Sequence, residues 1–487
     1  MSATELQAHR ARTRPERLAL LARLLGAPTD AVDERSLATV LEAEPASDRV
    51  WLVLAVLRGE LPTAPEVTAW RRRVRLDGAG ALLALRPARR LRRRAVRVVE
   101  GGVVVDVHHT VRTDLETGIQ RVVVGVMKQW TAADRAMTIV GWTPDNRALE
   151  HLGERWQEAR DSARRPRSAH DTVVPWRSTY VLPELAVEET RLDRLQALAQ
   201  SGAGECSVVG YDCVPLTVPE TAGGGMPGAF ARNLATVAWF DRVATISEAA
   251  AVEYRGWSAM VAAAGITAPR IASVLLADEP VPAGGDAVEL QELVRPDHPL
   301  VLCVGSHEPR KNHLAVLHAA ELAWSEGHDF DLLFVGGNAW NSTRFLDRLA
   351  ELQRQGRPVR SLLRVDDVTL AALYRRAAFS VFPSLNEGYG LPIVESLALG
   401  TPVITSAFGS MREIATAGCV LVDPRDDRAI AAAIGGLLTD DVRRERLAGE
   451  ARERGIRSWE AYADELWSFM VNGGHVDGRP QSSSGVS

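Results

Sequence analysis

Four side chains and two glycines in the C-terminal half of this 487-residue chain have the types and spacing to hold a phosphorylated sugar. Glu387 and Glu395, with seven residues between them in LNEGYGLPIVESLALG, fall in a glycine-punctuated loop and in a helical pattern respectively. That pattern begins at Leu391 with Pro392 in its first turn, where a missing N–H does no harm, and Gly400 closes it. On one continuous helix the carboxylates would lie about 80° apart at 3.6 residues per turn. With Glu387 ahead of the helix, it can instead fold back over the N-terminus. The N–H groups of Gly388, Tyr389, Gly390 and Leu391 then face the same cavity, and an open helix N-terminus attracts phosphate. Carboxylates repel phosphate, so their natural partners there are neutral hydroxyls, those of a sugar or a ribose. Upstream, Arg310 and Lys311 precede another helical segment on the same edge and suit a pyrophosphate. Of 57 Lys and Arg residues only Lys128 and Lys311 are lysine, which marks Lys311 as a place where a compact ammonium is needed. Taken one at a time, each of these charges reads equally well as a solvated surface residue.

The stretch 380–406 closely resembles the E-x7-E motif of the family 4 glycosyltransferases (glycosyl transferases group 1), retaining enzymes of the GT-B fold. The resemblance implies that Glu395 holds the ribose of a nucleotide donor and that Glu387 lies against the transferred sugar. The string GSHEPRKN resembles the family's G…RKN signature, which implies that Arg310 and Lys311 hold the donor diphosphate after the turn at Gly305. Gly336 and Gly337 end a strand near the nucleotide, and Arg364 to Asp367, with Val365 among them, stand where the family contacts the nucleobase. TGIQRV resembles the first loop and helix of a subset of the family and makes Thr117, Gly118, Gln120 and Arg121 candidates. Asp212, before Pro215 at a strand end, matches a position that lines the reaction cleft from the first domain. The His common there in other members is absent. FGSMREIATAGCVLVDP matches the closing pattern, with Glu413 structural. The resemblance covers roughly residues 100 to 470, most strongly 299 to 424.

These residues need an α/β frame, and the chain supplies strand and helix patterns in alternation. The expected fold is two Rossmann-like domains facing across a cleft, preceded by a helical segment. We set the boundaries at 1–98 for an Arg-rich helical extension, 99–280 for the acceptor-side domain and 281–297 for a Pro/Gly-rich linker. The donor domain follows at 298–456, then a terminal helix at 457–471 crossing back to the first domain, and a disordered tail at 472–487. His108 and His109 close the first strand, where open α/β sheets place ligands; one packs and one faces the cleft. Ser247 caps the helix after the first domain's last strand. Asp329 and Asp331 spell D-x-D, but they begin a strand, away from the carboxyl ends where ligands bind, so no metal is assigned to them.

Composition narrows the rest. With 46% hydrophobic and 24% charged residues and a net charge of -5, the chain is globular. Cys206, Cys213, Cys303 and Cys419 show no C-x2-C spacing, which argues against a zinc site or disulfide framework. The sequence shows no signal-peptide pattern and no run of about 18 apolar residues, so the expected location is the cytoplasm. Arg86, Arg89, Arg90, Arg92, Arg93, Arg94 and Arg97 close the extension. The run is either a solvated basic surface, a peripheral contact with the inner face of a membrane, or a partner surface. Without interleaved aromatics it gives little support to nucleic-acid binding.

The expected activity is retaining transfer of a hexose-type sugar from a nucleotide diphosphate sugar to a hydroxyl of an acceptor glycan, glycolipid or glycoconjugate. Arg310, Lys311, Glu387 and Asp212 are its catalytic candidates. Gly118, Gly305, Gly336, Val365, Gly388, Tyr389, Gly390, Leu391 and Glu395 complete the binding set. Neither metal nor cofactor is expected. The alternative is a non-catalytic nucleotide-sugar-binding scaffold subunit.

Overall fold

The computed structural model describes residues 8–27, 34–87, 94–113, 117–153, 156, 171–279, 294–296 and 298–474. The expected linker 281–297 falls outside them apart from residues 294–296, as do Arg89, Arg90, Arg92 and Arg93 and all of the tail beyond residue 474.

Two sheets divide the chain. The first contains β1 (Ala8–Ala11), β2 (Val96–Glu100), β3 (Val103–Asp106), β4 (Thr138–Trp142), β5 (Leu149–His151) and β6 (Thr172–Trp176). It continues through β7 (Ser178–Leu182), β8 (Gly204–Gly210), β9 (Arg242–Thr245) and β10 (Arg270–Ser273). Their order is β1-β2-β6-β5-β4-β3-β7-β8-β9-β10, parallel except for the β1–β2, β4–β5 and β5–β6 pairs. The second contains β11 (Leu300–Val304), β12 (Asp331–Val335), β13 (Val359–Leu362), β14 (Phe379–Phe382), β15 (Val403–Ser406) and β16 (Cys419–Val422). It is all parallel in the order β13-β12-β11-β14-β15-β16. Chain order reverses between β11 and β14. The loops leaving those two strands therefore diverge around a crevice, the place where doubly wound sheets bind ligands.

The described part of residues 1–98 does not stand apart as a helical extension. β1 pairs antiparallel with β2, β2 pairs with β6, and helix Ser47–Arg58 is buried from Val50 to Leu57 in the first domain's own core. A helix apolar on every face needs cover on every face, and this one finds it between its neighbouring helices and the sheet. The polar stretch after Trp142, which shows no periodicity in sequence, holds β5 and β6; their hydrogen bonds to β4 and β2 are set by tertiary pairing.

Helix Trp459–Met470 returns to the first domain. The Trp130 indole donates to the Ala463 carbonyl at 2.9 Å, and Ser207 Oγ donates to the Met470 carbonyl at 2.8 Å. All four cysteines are free thiols. Among the described residues no helix is long and apolar enough to cross a membrane.

Candidate active site

The functional side chains sit on loops that leave the carboxyl ends of strands, or on the helices that those loops open. β11 ends at Val304, and the loop through Gly305 carries Glu308, Arg310 and Lys311 before Asn312 opens helix His313–Ser325. Gly305 is required as glycine: it lies at φ +150, and a Cβ on Gly336, at the end of β12, would stand 2.0 Å from its carbonyl oxygen. The two backbones touch there.

The loop after β14 carries Ser384, Asn386 and Glu387 and reaches helix Leu391–Ala398 through Gly390, at φ +121. Glu387 is the hub. It accepts from Arg310 Nη1 at 2.5 Å, Lys311 Nζ at 2.7 Å and Ser384 Oγ at 2.5 Å. Burial would raise its pKa, but the two cations hold it down at about 2, so the carboxylate stays ionised. Arg310 also donates to the Asn386 carbonyl and to Glu308. Burial opposes the charge on this guanidinium, and Glu387, Glu308 and Asp212 outweigh it, raising its pKa. Lys311 lies 5.0 Å above the Phe382 ring, a cation–π contact. Among the described residues both cations keep donors for a further anion: Lys311 uses one hydrogen bond of three, and the Arg310 Nε takes no part in the contacts above. Among the described residues the N–H groups of Gly388, Tyr389, Gly390 and Leu391 have no protein partner. Free donors and two cations thus border one crevice.

The first domain closes the other wall. Asp212 follows β8, and its Oδ1 accepts from the Val214 N–H at 3.1 Å. Burial lifts its pKa to about 6 against the pull of Arg310. Gly388 lies so close that a Cβ would stand 2.6 Å from the Tyr211 carbonyl oxygen and 2.9 Å from Asp212 Oδ2. Ser247 caps its own helix at Ala250 and donates to the Gly388 carbonyl at 2.6 Å. Glu413 reaches across to accept from the N–H groups of Glu248 and Ala249, a helix cap supplied by the other domain.

Glu395, on helix Leu391–Ala398, is 4% exposed and spans the domains. It accepts from Arg121 Nη1 at 2.6 Å and from the Tyr374 hydroxyl at 3.2 Å. Arg121 lies in the first turn of helix Gly118–Ala132, whose Gly118 backs onto the Leu391 side chain. Tyr389 turns away from the cleft and donates to the Leu276 carbonyl at 3.1 Å. Val365, half-buried between β13 and helix Asp367–Arg376, packs on the small apolar cluster around Leu300 and Leu333. Asp329 and Asp331 hold Arg295 in ion pairs. His108 is buried and accepts from the Trp142 N–H, while His109 is half-buried beside Gln120.

Two supports escape sequence reading: Glu308, which fixes Arg310, and Tyr374, which fixes Glu395. Glu308 lies two residues from Arg310 and could have been suspected from that spacing; Tyr374 is brought in only by the packing of its helix. Among the described residues no cluster of three His, Cys, Asp or Glu side chains is arranged to hold a metal ion.

Residues 289–454 match the family model described as "Glycosyl transferases group 1". Over 246 residues, 49% of this chain, the sequence is 31% identical to the serotype-specific mannosyltransferase WbdA of Escherichia coli and covers 29% of it. Over 172 residues, 34% of this chain, it is 35% identical to the D-inositol 3-phosphate glycosyltransferase of Xylanimonas cellulosilytica and covers 40% of it. The chain thus spans less than half the length of these relatives. Among solved structures, sucrose-phosphate synthase from Thermosynechococcus elongatus superposes with a TM-score of 0.53 at 19% identity over 76% of this chain and 98% of its own. Anabaena HepE, in complex with UDP and glucose, gives 0.53 at 13% identity over 76% and 99%.

Proposed function

We propose that this chain, a GT-B-fold protein whose residues 289–454 belong to the group 1 glycosyltransferases, transfers a hexose-type sugar from a nucleotide diphosphate sugar to an acceptor hydroxyl in bacterial glycan or glycoconjugate synthesis. The observation that carries this reading is the convergence of Arg310 and Lys311 with the free N–H groups of Gly388 to Leu391 at the reversal point of the second sheet. Such a crevice suits a diphosphate. The mannosyltransferase and inositol-phosphate glycosyltransferase relatives support a sugar-transferring role in bacteria.

In this mechanism the leaving diphosphate gathers negative charge as the glycosidic bond breaks. Arg310, Lys311 and the helix N-terminus stabilise that charge from fixed positions, with no reorganisation at the moment of reaction. Because these charges are the protein's own, the step needs no metal ion. Glu387 anchors both cations through one oxygen each and presents its remaining lone pairs to sugar hydroxyls. Glu395, held by Arg121 and Tyr374, takes the ribose hydroxyls. Asp212 approaches from the acceptor side and orients the attacking hydroxyl. The acceptor oxygen bonds to the anomeric carbon on the face the leaving group vacates, with retention of configuration, and the hydroxyl proton passes to the departing phosphate oxygen. The acceptor enters from the first domain, and the exposed arginines of helix Ala64–Asp77 allow a membrane-located acceptor.

The test is product release: the purified chain is incubated with UDP-, GDP- and ADP-sugars and a panel of glycan acceptors. One donor should yield free diphosphate in an acceptor-dependent manner, and Lys311→Ala should remove that yield. Tight donor binding without turnover would favour a scaffold subunit instead.

A further inference from the structure

Glu253 sits half-buried on helix Glu248–Ala263 and takes no part in the mechanism above, yet its two oxygens reach different domains. Oε2 accepts from the Cys213 N–H at 2.8 Å, and Oε1 accepts from the Asn386 amide at 3.3 Å. The same amide nitrogen donates to Thr217 Oγ1 at 3.0 Å, and that hydroxyl donates to the Cys213 carbonyl at 3.3 Å. One amide of the second domain is thus gripped by two side chains of the first. Each of those side chains also holds one backbone group of Cys213.

The neighbours of Cys213 and Asn386 in the chain give the grip its consequence. Cys213 follows Asp212, whose Oδ1 accepts from the Val214 N–H. Asn386 precedes Glu387, and its carbonyl accepts from Arg310 Nη1 at 3.0 Å. A continuous run of hydrogen bonds therefore joins the turn that carries Asp212 to the guanidinium on the donor side. Helix Val214–Thr217, which the turn opens, is a single turn and cannot hold its place by its own hydrogen bonds. We propose that Glu253 is a positioning residue for sugar transfer: with Asn386 it registers the Asp212 turn against the donor loop, so that the Asp212 carboxylate meets the acceptor hydroxyl. The task given to Asp212 rests on the transferase reading; the clamp rests on the hydrogen bonds alone.

Charge adds a second signature. Asp212 faces Arg310 and Glu387 from the second domain and Glu253 from its own; Cys213 and Tyr254 lie close by, and burial keeps both protonated. Burial raises the Asp212 pKa most, Arg310 and the Val214 N–H oppose it, and the carboxylates of Glu253 and Glu387 add to the rise, which ends at about 6. Removing the Glu253 charge takes away one raising influence, so Asp212 should ionise at lower pH.

The experiment follows acceptor-dependent diphosphate release by the full chain between about pH 5 and 8, with whichever of the UDP-, GDP- and ADP-sugars the wild type turns over. Glu253→Ala should lower kcat about tenfold, the effect of losing one hydrogen bond to a charged group, while the donor KM stays within about twofold. Glu253→Gln keeps an accepting oxygen for the Cys213 N–H and should restore most of kcat at about pH 8, with the acid limb of its rate profile moved to lower pH. Asn386→Ala, which keeps the carbonyl that Arg310 uses, should also lower kcat, and combining it with Glu253→Ala should cost less than the two losses added. Each variant should keep the wild-type thermal shift with UDP, GDP or ADP, which also shows that it folds. The inference is overturned if Glu253→Ala keeps wild-type kcat, if the donor KM and the nucleotide shift are lost along with kcat, if the two losses add in full, or if the acid limb of Glu253→Gln stays in place. A wild type that turns over no donor overturns the transferase reading and the positioning role with it, whereas an active wild type with unaffected variants overturns the positioning role alone.

Discussion

Arg121 of the first domain and Glu395 of the second are 274 positions apart in sequence and form a 2.6 Å ion pair across the cleft. The carboxylate is nearly buried, while the Arg121 side chain is 42% exposed. That asymmetry lets the arginine be withdrawn into water while Glu395 stays fixed by Tyr374. The pair therefore ties the first domain to the carboxylate that we propose takes the ribose hydroxyls.

Arg121→Ala should raise the donor KM more than it lowers kcat. In a double-mutant cycle with Glu395→Gln, read on nucleotide affinity, the coupling should be about 0.5–1 kcal/mol, the lower part of the range for contacting residues because Arg121 is partly solvated. Additive effects of the two substitutions would show that the pair does no work in binding.

Gly388→Ala should disable the chain without touching a charge. The new Cβ would press on Asp212 Oδ2 and on the Tyr211 carbonyl, and the carbonyl is backbone directly following β8, which gives way less readily than a side chain. Overpacking of this kind costs about 1–3 kcal/mol, so the melting temperature should fall along with activity. Wild-type melting and turnover would mean that the loop yields freely.

Asp212 gives a pH signature. Its folded pKa is lifted by burial from 3.8 to about 6, so the folded state holds a proton that the unfolded state has lost between those values. The stability that Asp212 contributes is therefore fully present below about pH 4, is lost as pH rises to about 6, and stays lost above it. Asp212→Asn carries no such charge, so its urea midpoint relative to wild type should be higher at pH 7.5 than the same comparison gives at pH 3.5. Its turnover should fall. A midpoint difference that does not change with pH would contradict the buried-carboxylate account.

Glu387 behaves in the opposite sense. Its pKa is depressed from 4.5 to about 2, so the stability it contributes is present above about pH 4.5 and is lost as pH falls toward 2. Glu387→Ala leaves Arg310 and Lys311 without their shared partner, and breaking a buried pair in this way costs about 3–5 kcal/mol. Glu387→Gln should cost less, because an amide still accepts a hydrogen bond. Chemical denaturation of the two variants at pH 7 would separate them; equal losses would mean that the charge alone, and not the shape or the hydrogen bonds an amide keeps, is what Glu387 supplies.

Much of this was legible in the amino-acid order because the loops that carry the chemistry are short and local. Glu387 to Glu395 lie on one loop and one helix, so spacing and a Pro near the helix start suffice to place them. Arg310 and Lys311 are likewise fixed by the turn at Gly305. What spacing could not give is pairing over distance. The Arg121–Glu395 bridge, the Tyr374 support and the entry of β1 and β2 into the first sheet all depend on tertiary packing. Helix Ser47–Arg58 shows the same limit: its uniform apolarity announces burial but not what buries it.

The central claim is that Lys311 and Arg310 hold a nucleotide diphosphate, and thermal shift against UDP, GDP and ADP tests it most directly. At about 100 times its Kd, one of them should add about 2.7 kcal/mol to the stability of the wild type. Lys311→Ala should melt as a folded protein and lose most of that gain. No stabilisation by any diphosphate, or an undiminished shift in the variant, would contradict the account.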